Sequence, residues 1–144
     1  MENKILPQFQ ANIGKPMGKT SPAGSWLEGT LVGAEEGQLV AKYEVKKEFT
    51  NPMGVLHGGV FGLIMDDLMG ALVFSLDNEF AFTTINLSVD YLSAAKIGET
   101  IIAKATLVRK GQNVINCECN VTNEAGKLLA KSNSNLGKTH IKLR

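Results

Sequence analysis

The chain has 144 residues, with 15 Lys+Arg against 14 Asp+Glu and a formal net charge of +1. That length suits one domain with a real core and leaves no room for a second catalytic domain. The even charge balance and the few aromatic residues exclude the basic surplus and stacking platforms that nucleic-acid binders use, so no nucleic-acid partner is expected.

Residues 1–26 read as an N-terminal extension and 27–144 as the domain proper. Met1 to Gln10 suits a short helix; with Glu2 and Lys4 and no apolar run it is not a signal peptide. Asn12 to Ser25 holds Gly14, Pro16, Gly18, Pro22 and Gly24 and reads as irregular chain, a lid or strap. Leu27 to Val32 and Gln38 to Val45 alternate around the turn Glu35-Glu36-Gly37, which predicts a β-hairpin. Phe49 to Gly54 is a turn-rich loop, and His57-Gly58-Gly59 follows it. Gly58 to Leu76 predicts a helix, because Leu, Met, Ala and Phe dominate without dense β-branching. Its apolar positions surround most of the axis, which marks a buried helix. The run is too short, and with Asp66 and Asp67 too charged, to cross a bilayer, so no membrane partner is expected.

Asp77-Asn78-Glu79 ends the helix, and four strand-like runs complete the chain. Ala81 to Leu92 alternates, placing Phe82, Thr84, Asn86, Ser88 and Asp90 on one face and Ile85, Leu87, Val89 and Tyr91 on the other. Thr100 to Val108, Gln112 to Thr122 and Lys127 to Lys138 follow, the first two joined by the Arg109-Lys110-Gly111 turn. The order β-β-α-β-β-β-β predicts an α+β fold, an antiparallel sheet wrapped around one long central helix. Cys117 and Cys119 stand one residue apart on a strand, a poor disulfide, so a reduced, cytoplasmic protein with both thiols in its core is expected.

Between Glu48 and Asp77 the charged residues are Asp66 and Asp67, in the most apolar part of the chain. Helix neighbours point about 100° apart, so the two cannot share one environment. A carboxylate reaching the interior must be paired, hydrogen-bonded or raised in pKa, which makes it a functional candidate. A wet helix edge or a subunit contact is the plainer alternative for both. At the helix start the free N–H groups and the dipole offer an oxyanion site, and Gly58 and Gly59 admit close approach. An ordinary loop entering a helix, with His57 as a filler, is the plainer reading there.

At about 1.5 Å rise per residue, Asp66 lies about 13 Å from His57 along the axis and on its opposite side. If the two act together, two helices must pack antiparallel about a two-fold axis, with sites at the interface of at least a dimer. With His57 and His140 the sole histidines, no His-rich metal site is expected. No Gly-x-Ser-x-Gly elbow and no phosphate-binding glycine loop is present. Lys96, Arg109 and Lys110, at strand ends, are either solvated turn residues or phosphate contacts at the mouth of a groove.

Asn51-Pro52-Met53-Gly54-Val55-Leu56-His57-Gly58-Gly59-Val60, followed by Met65-Asp66-Asp67, resembles the hotdog-fold acyl-CoA thioesterases of the phenylacetate-pathway (PaaI-like) type. Val89 to Ala95, Lys96-Ile97-Gly98-Glu99 and Arg109-Lys110-Gly111 extend the resemblance over roughly residues 29–138. It implies hydrolysis of an acyl- or aryl-acyl-CoA thioester to the free acid and coenzyme A. The Gly58 or Gly59 amide would hold the carbonyl. Asp66 of the facing subunit would act as base or nucleophile, with Asn51, His57 and Thr84 around the water and the leaving group. Gly59, Tyr91, Lys96, Arg109, Lys110, Gly111, Gln112 and Asn113 would bind coenzyme A, which is part of the substrate; no metal or other cofactor is implied. The assembly would be a homo-oligomer, a dimer or a tetramer. The alternatives are a non-catalytic acyl-CoA binding module, which Asp66 argues against, and an enoyl-CoA hydratase. The latter wants a His soon after its Asp, and none follows Asp66 until His140.

Overall fold

A hairpin, a long helix and four further strands follow one another along the chain. The structure, a computed structural model, describes residues 1–17 and 21–144. The elements are α1 (Leu6–Ala11), α2 (Pro22–Leu27), β1 (Thr30–Glu35), β2 (Gln38–Glu44), α3 (Gly58–Ser75), β3 (Phe80–Tyr91), β4 (Thr100–Lys110), β5 (Val114–Asn123) and β6 (Leu128–Lys142). The strands form one antiparallel sheet in the order β1-β2-β4-β5-β6-β3. α3 lies along its concave side against β2, β3, β4, β5 and β6. This is the hotdog fold, in the element order expected from the sequence.

Alternation makes the sheet one-sided. Leu39, Ala41 and Tyr43 on β2, Ala103 and Ala105 on β4, and Cys117, Cys119 and Val121 on β5 are all buried beneath α3. From the helix, Ile64, Met65, Leu68, Met69 and Leu72 are fully buried. Each such side chain contributes about 1.5–3 kcal/mol of transfer free energy. α3 is the one described helix long and apolar enough to cross a membrane, and here it is the core of the domain. It ends where Asp77 turns to φ 58°, while Ser75 Oγ donates to Leu72 O and Asn78 Nδ2 to Val73 O.

Two sequence expectations need correction. Leu27 is not in a strand: it closes α2, and the hairpin begins at Thr30. Ser21 caps α2 by accepting from Gly24 N–H, and Pro22 stands at the first helical position, where it needs no donor. The stretch Asn12 to Ser25 is therefore not irregular throughout; Gly18 of that reading lies outside the described residues. Second, β3 does not alternate to its end. Thr84 pairs with Leu136 and Asn86 with Asn135, so Ile85 is one extra residue, a β-bulge. Before it Phe82 and Thr84 face the helix side; after it Leu87, Val89 and Tyr91 do. Ile85 is 62% exposed and Asn86 bonds outward to Asn135.

Candidate functional site

His57 is the N-cap of α3. Its backbone is extended at φ −63°, ψ 137°, and its Nδ1 accepts from Gly59 N–H at 2.8 Å. An accepting Nδ1 leaves the imidazole proton on Nε2. Val60 and Phe61 N–H both turn back to His57 O. Of the first helical donors, Gly58 N–H alone has no partner among the described residues. The Gly58 carbonyl accepts from Tyr91 Oη at 2.9 Å, and the Tyr91 ring stands edge-on to Phe61. Tyr91 therefore braces the helix start. Asn51 is close in the fold: its Oδ1 accepts from Met53 N–H and Val55 N–H, shaping the preceding loop, and its amide nitrogen has no partner among the described residues. Lys96 bridges to Val55 at the same end of the domain.

Asp66 belongs to a second cluster. It is half-buried, and Thr84 Oγ1 donates to its Oδ1 at 2.8 Å. The bulge at Ile85 is what lets Thr84 and Tyr91, seven residues apart on one strand, both face α3. Asp66 and Thr84 line a cavity of ≈ 560 Å³ with Phe82, Ala71 and Phe74. Among the described residues no hydrogen bond joins this cluster to His57, as expected of residues about 13 Å apart on one helix.

Asp67 reaches the same cavity from the side of α2. Its carboxyl rests against α2, where a Cβ placed on Gly24 would lie 2.5 Å from Asp67 Oδ2. Burial holds this carboxyl above its ordinary value; the Ser21 hydroxyl bond pulls it down, and neighbouring Asp66 pushes it up. Tyr43, buried beneath, is pushed up by burial and by Asp67. Asp67 thus latches the N-terminal segment to the helix. A carboxyl raised in the folded state binds its proton more tightly than the unfolded chain does. Stability then increases as pH falls through the raised value. Asp67→Asn keeps the Ser21 bond and removes the titration. A thermal melt should show an equal or higher Tm at neutral pH, without the gain that wild type shows on mild acidification. Turnover should stay within about threefold of wild type, far short of the 10²–10⁴-fold a lost general base costs.

The expected coenzyme A residues are not brought together within one chain. Tyr91 and Lys96 lie near the start of α3, whereas Arg109 to Asn113 form the β4–β5 hairpin at the other end of β4. That strand has 11 residues, about 34 Å. In the hairpin, Gly111 N–H donates to Val114 O, and a Cβ at Gly111 would fall 2.5 Å from that same oxygen. Arg109 and Lys110 are exposed beside it. Gly59 is turned into the helix start by the His57 bond. Sequence reasoning missed two site features, the Gly59–His57 bond and the Asn51 turn; the carriers of both stood in the motif, but not their partners.

Residues 53–130 match the family model described as thioesterase superfamily. Acyl-coenzyme A thioesterase 13 of Homo sapiens is 30% identical over 103 residues, 71% of this chain and 74% of that protein. A Streptococcus mutans protein, solved bound to acetyl CoA, is 25% identical with a TM-score of 0.74, covering 79% of this chain and 90% of that one. The PaaI protein of the E. coli phenylacetic acid degradation operon superposes with a TM-score of 0.83 over 96% of this chain and 99% of its own, at 17% identity, a likeness of fold alone.

Proposed function

The chain belongs to the thioesterase superfamily, and from that membership we propose that it hydrolyses acyl-coenzyme A, aliphatic or aryl, to the free acid and coenzyme A. The observation that carries the reading is the half-buried Asp66, held by Thr84 at the wall of a cavity, on a helix whose first N–H has no partner among the described residues.

The two clusters act together across a two-fold axis. β3 is an edge strand of 12 residues, with β6 as its single neighbour. A long open edge is a template for pairing. Antiparallel pairing of two β3 strands continues the sheet and runs two α3 helices side by side in opposite directions. Each site then draws Asp66 and Thr84 from one subunit and Asn51, His57 and Gly58 from the other. The same pairing gathers Lys96 of one subunit and Arg109 and Lys110 of the other around one substrate. Guanidinium and ammonium groups there suit the coenzyme's phosphates. A homodimer is the smallest such assembly. Two buried thiols, with Cys117 pushed up to about 11 and Cys119 up to about 12 by burial, support a reducing, cytoplasmic setting.

In the reaction, the thioester oxygen takes the free Gly58 N–H at the positive end of the helix. Asp66 accepts a proton from water, whose oxygen attacks the carbonyl carbon; Thr84 fixes the carboxylate through Oδ1 and leaves the other oxygen for that proton. The tetrahedral oxyanion collapses, the C–S bond breaks, and the thiolate leaves with the electron pair and takes the proton that Asp66 removed from water. His57 Nε2–H and the Asn51 amide are donors within this half of the site. No metal or other cofactor enters. The test is a panel of acyl-CoA thioesters with free-thiol detection. Turnover on at least one saturated acyl-CoA is expected. A folded protein that releases no thiol from any of them refutes the reading.

A further inference from the structure

The cavity beside Asp66 is closed on one side by the N-terminal segment, which is built into the fold. Asn3 Nδ2 donates to Ser75 O and Lys4 N–H to Asp77 Oδ2, fixing the segment at the end of α3. Gly14 N–H and Met17 N–H donate to Leu31 O and Gly29 O, both at 2.7 Å, adding a strip of chain beside β1. Ser21 and Gly24 then meet Asp67. Between these anchors Phe9 of α1 and Met17 face the cavity, and the Phe9 ring stands edge-on to Phe74 at 6.5 Å.

On the helix side, Asp66, Gly70 and Phe74 line the cavity on successive turns. Asp66 and Phe74 are therefore about 12 Å apart along the axis. At Gly70 a Cβ would meet nothing within 4 Å, so the helix leaves an open channel between the carboxylate and the aromatic pair. Phe82 walls it from β3.

Resting on the thioesterase reading, we propose that the acyl group of the substrate lies in this channel, with its carbonyl at Asp66, its chain over Gly70, and its far end against Phe9 and Phe74. The N-terminal segment is then the roof of the acyl site, and the aromatic pair sets the longest acyl group accepted. Lys15, Asp66 and Asp67 are the charged groups of the lining, but Gly70, Ala71, Phe82 and the aromatic pair make the stretch beyond Asp66 apolar, so that stretch suits unbranched apolar acyl groups. Each buried methylene should raise kcat/KM about fourfold until the chain reaches the pair.

Two variants test this from opposite sides. Phe74→Ala opens the end. Gly70→Leu fills the channel at a position with room for a side chain and improves helix propensity, so the fold is retained. A series of saturated acyl-CoAs of increasing length gives kcat/KM for each protein, and calorimetry with the corresponding free carboxylic acids gives affinity without any hydrolysis. The length at which both quantities stop rising should move up in Phe74→Ala and down in Gly70→Leu. An unmoved break, or equal losses at every length, overturns the proposal. Acid binding with the expected shifts, but no hydrolysis by wild type, would refute the thioesterase reading and keep the channel. Hydrolysis with no shift would do the reverse.

Discussion

Asp66→Asn should lower kcat by about 10²–10⁴-fold while leaving the fold intact. The amide has the shape of the carboxylate, and its oxygen still accepts from Thr84 Oγ1, now 2.8 Å from Oδ1. The helix face and the cavity wall are unchanged. Basicity is lost: a neutral amide takes no proton from the attacking water, so the barrier to attack rises without a matching loss of substrate binding. KM should therefore move little and kcat almost alone carry the effect. The measurement is initial-rate thiol release from the best acyl-CoA, with a thermal melt to show the variant folded. Asp67→Asn is the internal control, because that carboxyl is turned about 100° away, onto α2. Near-full activity in Asp66→Asn, or a dead Asp67→Asn, would reverse the roles of the two carboxylates.

Periodic segments were legible and pairing-dependent details were not. The core helix is predicted over Gly58 to Leu76 and is found over Gly58–Ser75, because an all-round apolar run bounded by His-Gly-Gly and Asp-Asn-Glu has one reading. The split between Asp66 and Asp67 followed from helix geometry, but both line the cavity, and which one Thr84 holds and which one Ser21 holds depended on elements distant in the chain. The bulge at Ile85 has no local signal. It exists because β6 offers one residue where β3 supplies two, and it places Phe82 and Thr84 on the face that strict alternation denies to Tyr91. Helix α2 is different: Ser21-Pro22, a capping residue before a first-turn proline, was a readable start signal masked by the surrounding glycines. The separation of Lys96 from Arg109 was readable from strand length alone, since β4 runs between them.

Asn51 and His57 show a subtler limit. Residue type marks them as polar groups near a helix start, yet each spends its acceptor on the backbone: Asn51 Oδ1 on the Met53 and Val55 amides, His57 Nδ1 on Gly59. What remains at each is a donor, the Asn51 amide and the His57 Nε2–H. A site built around these donors and the Gly58 N–H suits an oxygen that gains negative charge, and it lacks a base of its own. In the proposed dimer the facing subunit would supply that carboxylate.

Gly58→Pro should delete the oxyanion donor alone and lower kcat by about 10²–10³-fold. A backbone donor is ordinarily beyond mutation, but this one is at the first helical position, where proline is tolerated because its missing N–H has no helical partner. The preceding His57, at φ −63° and ψ 137°, already holds the conformation that proline demands of its neighbour. The nearest obstacle is the Tyr91 ring, 3.3 Å from an added Cβ, which must shift by a few tenths of an ångström. A thermal melt checks that it does. Mixing this variant with Asp66→Asn and allowing subunits to exchange then tests the shared site. In a mixed dimer one site carries both lesions and the other carries neither. Random exchange of equal amounts makes half of the dimers mixed, so activity should recover to about a quarter of wild type from two nearly dead proteins. Exchange shown by tagged subunits, with no recovery, would mean that each site is completed within one chain, and the β3-to-β3 arrangement would fall with it.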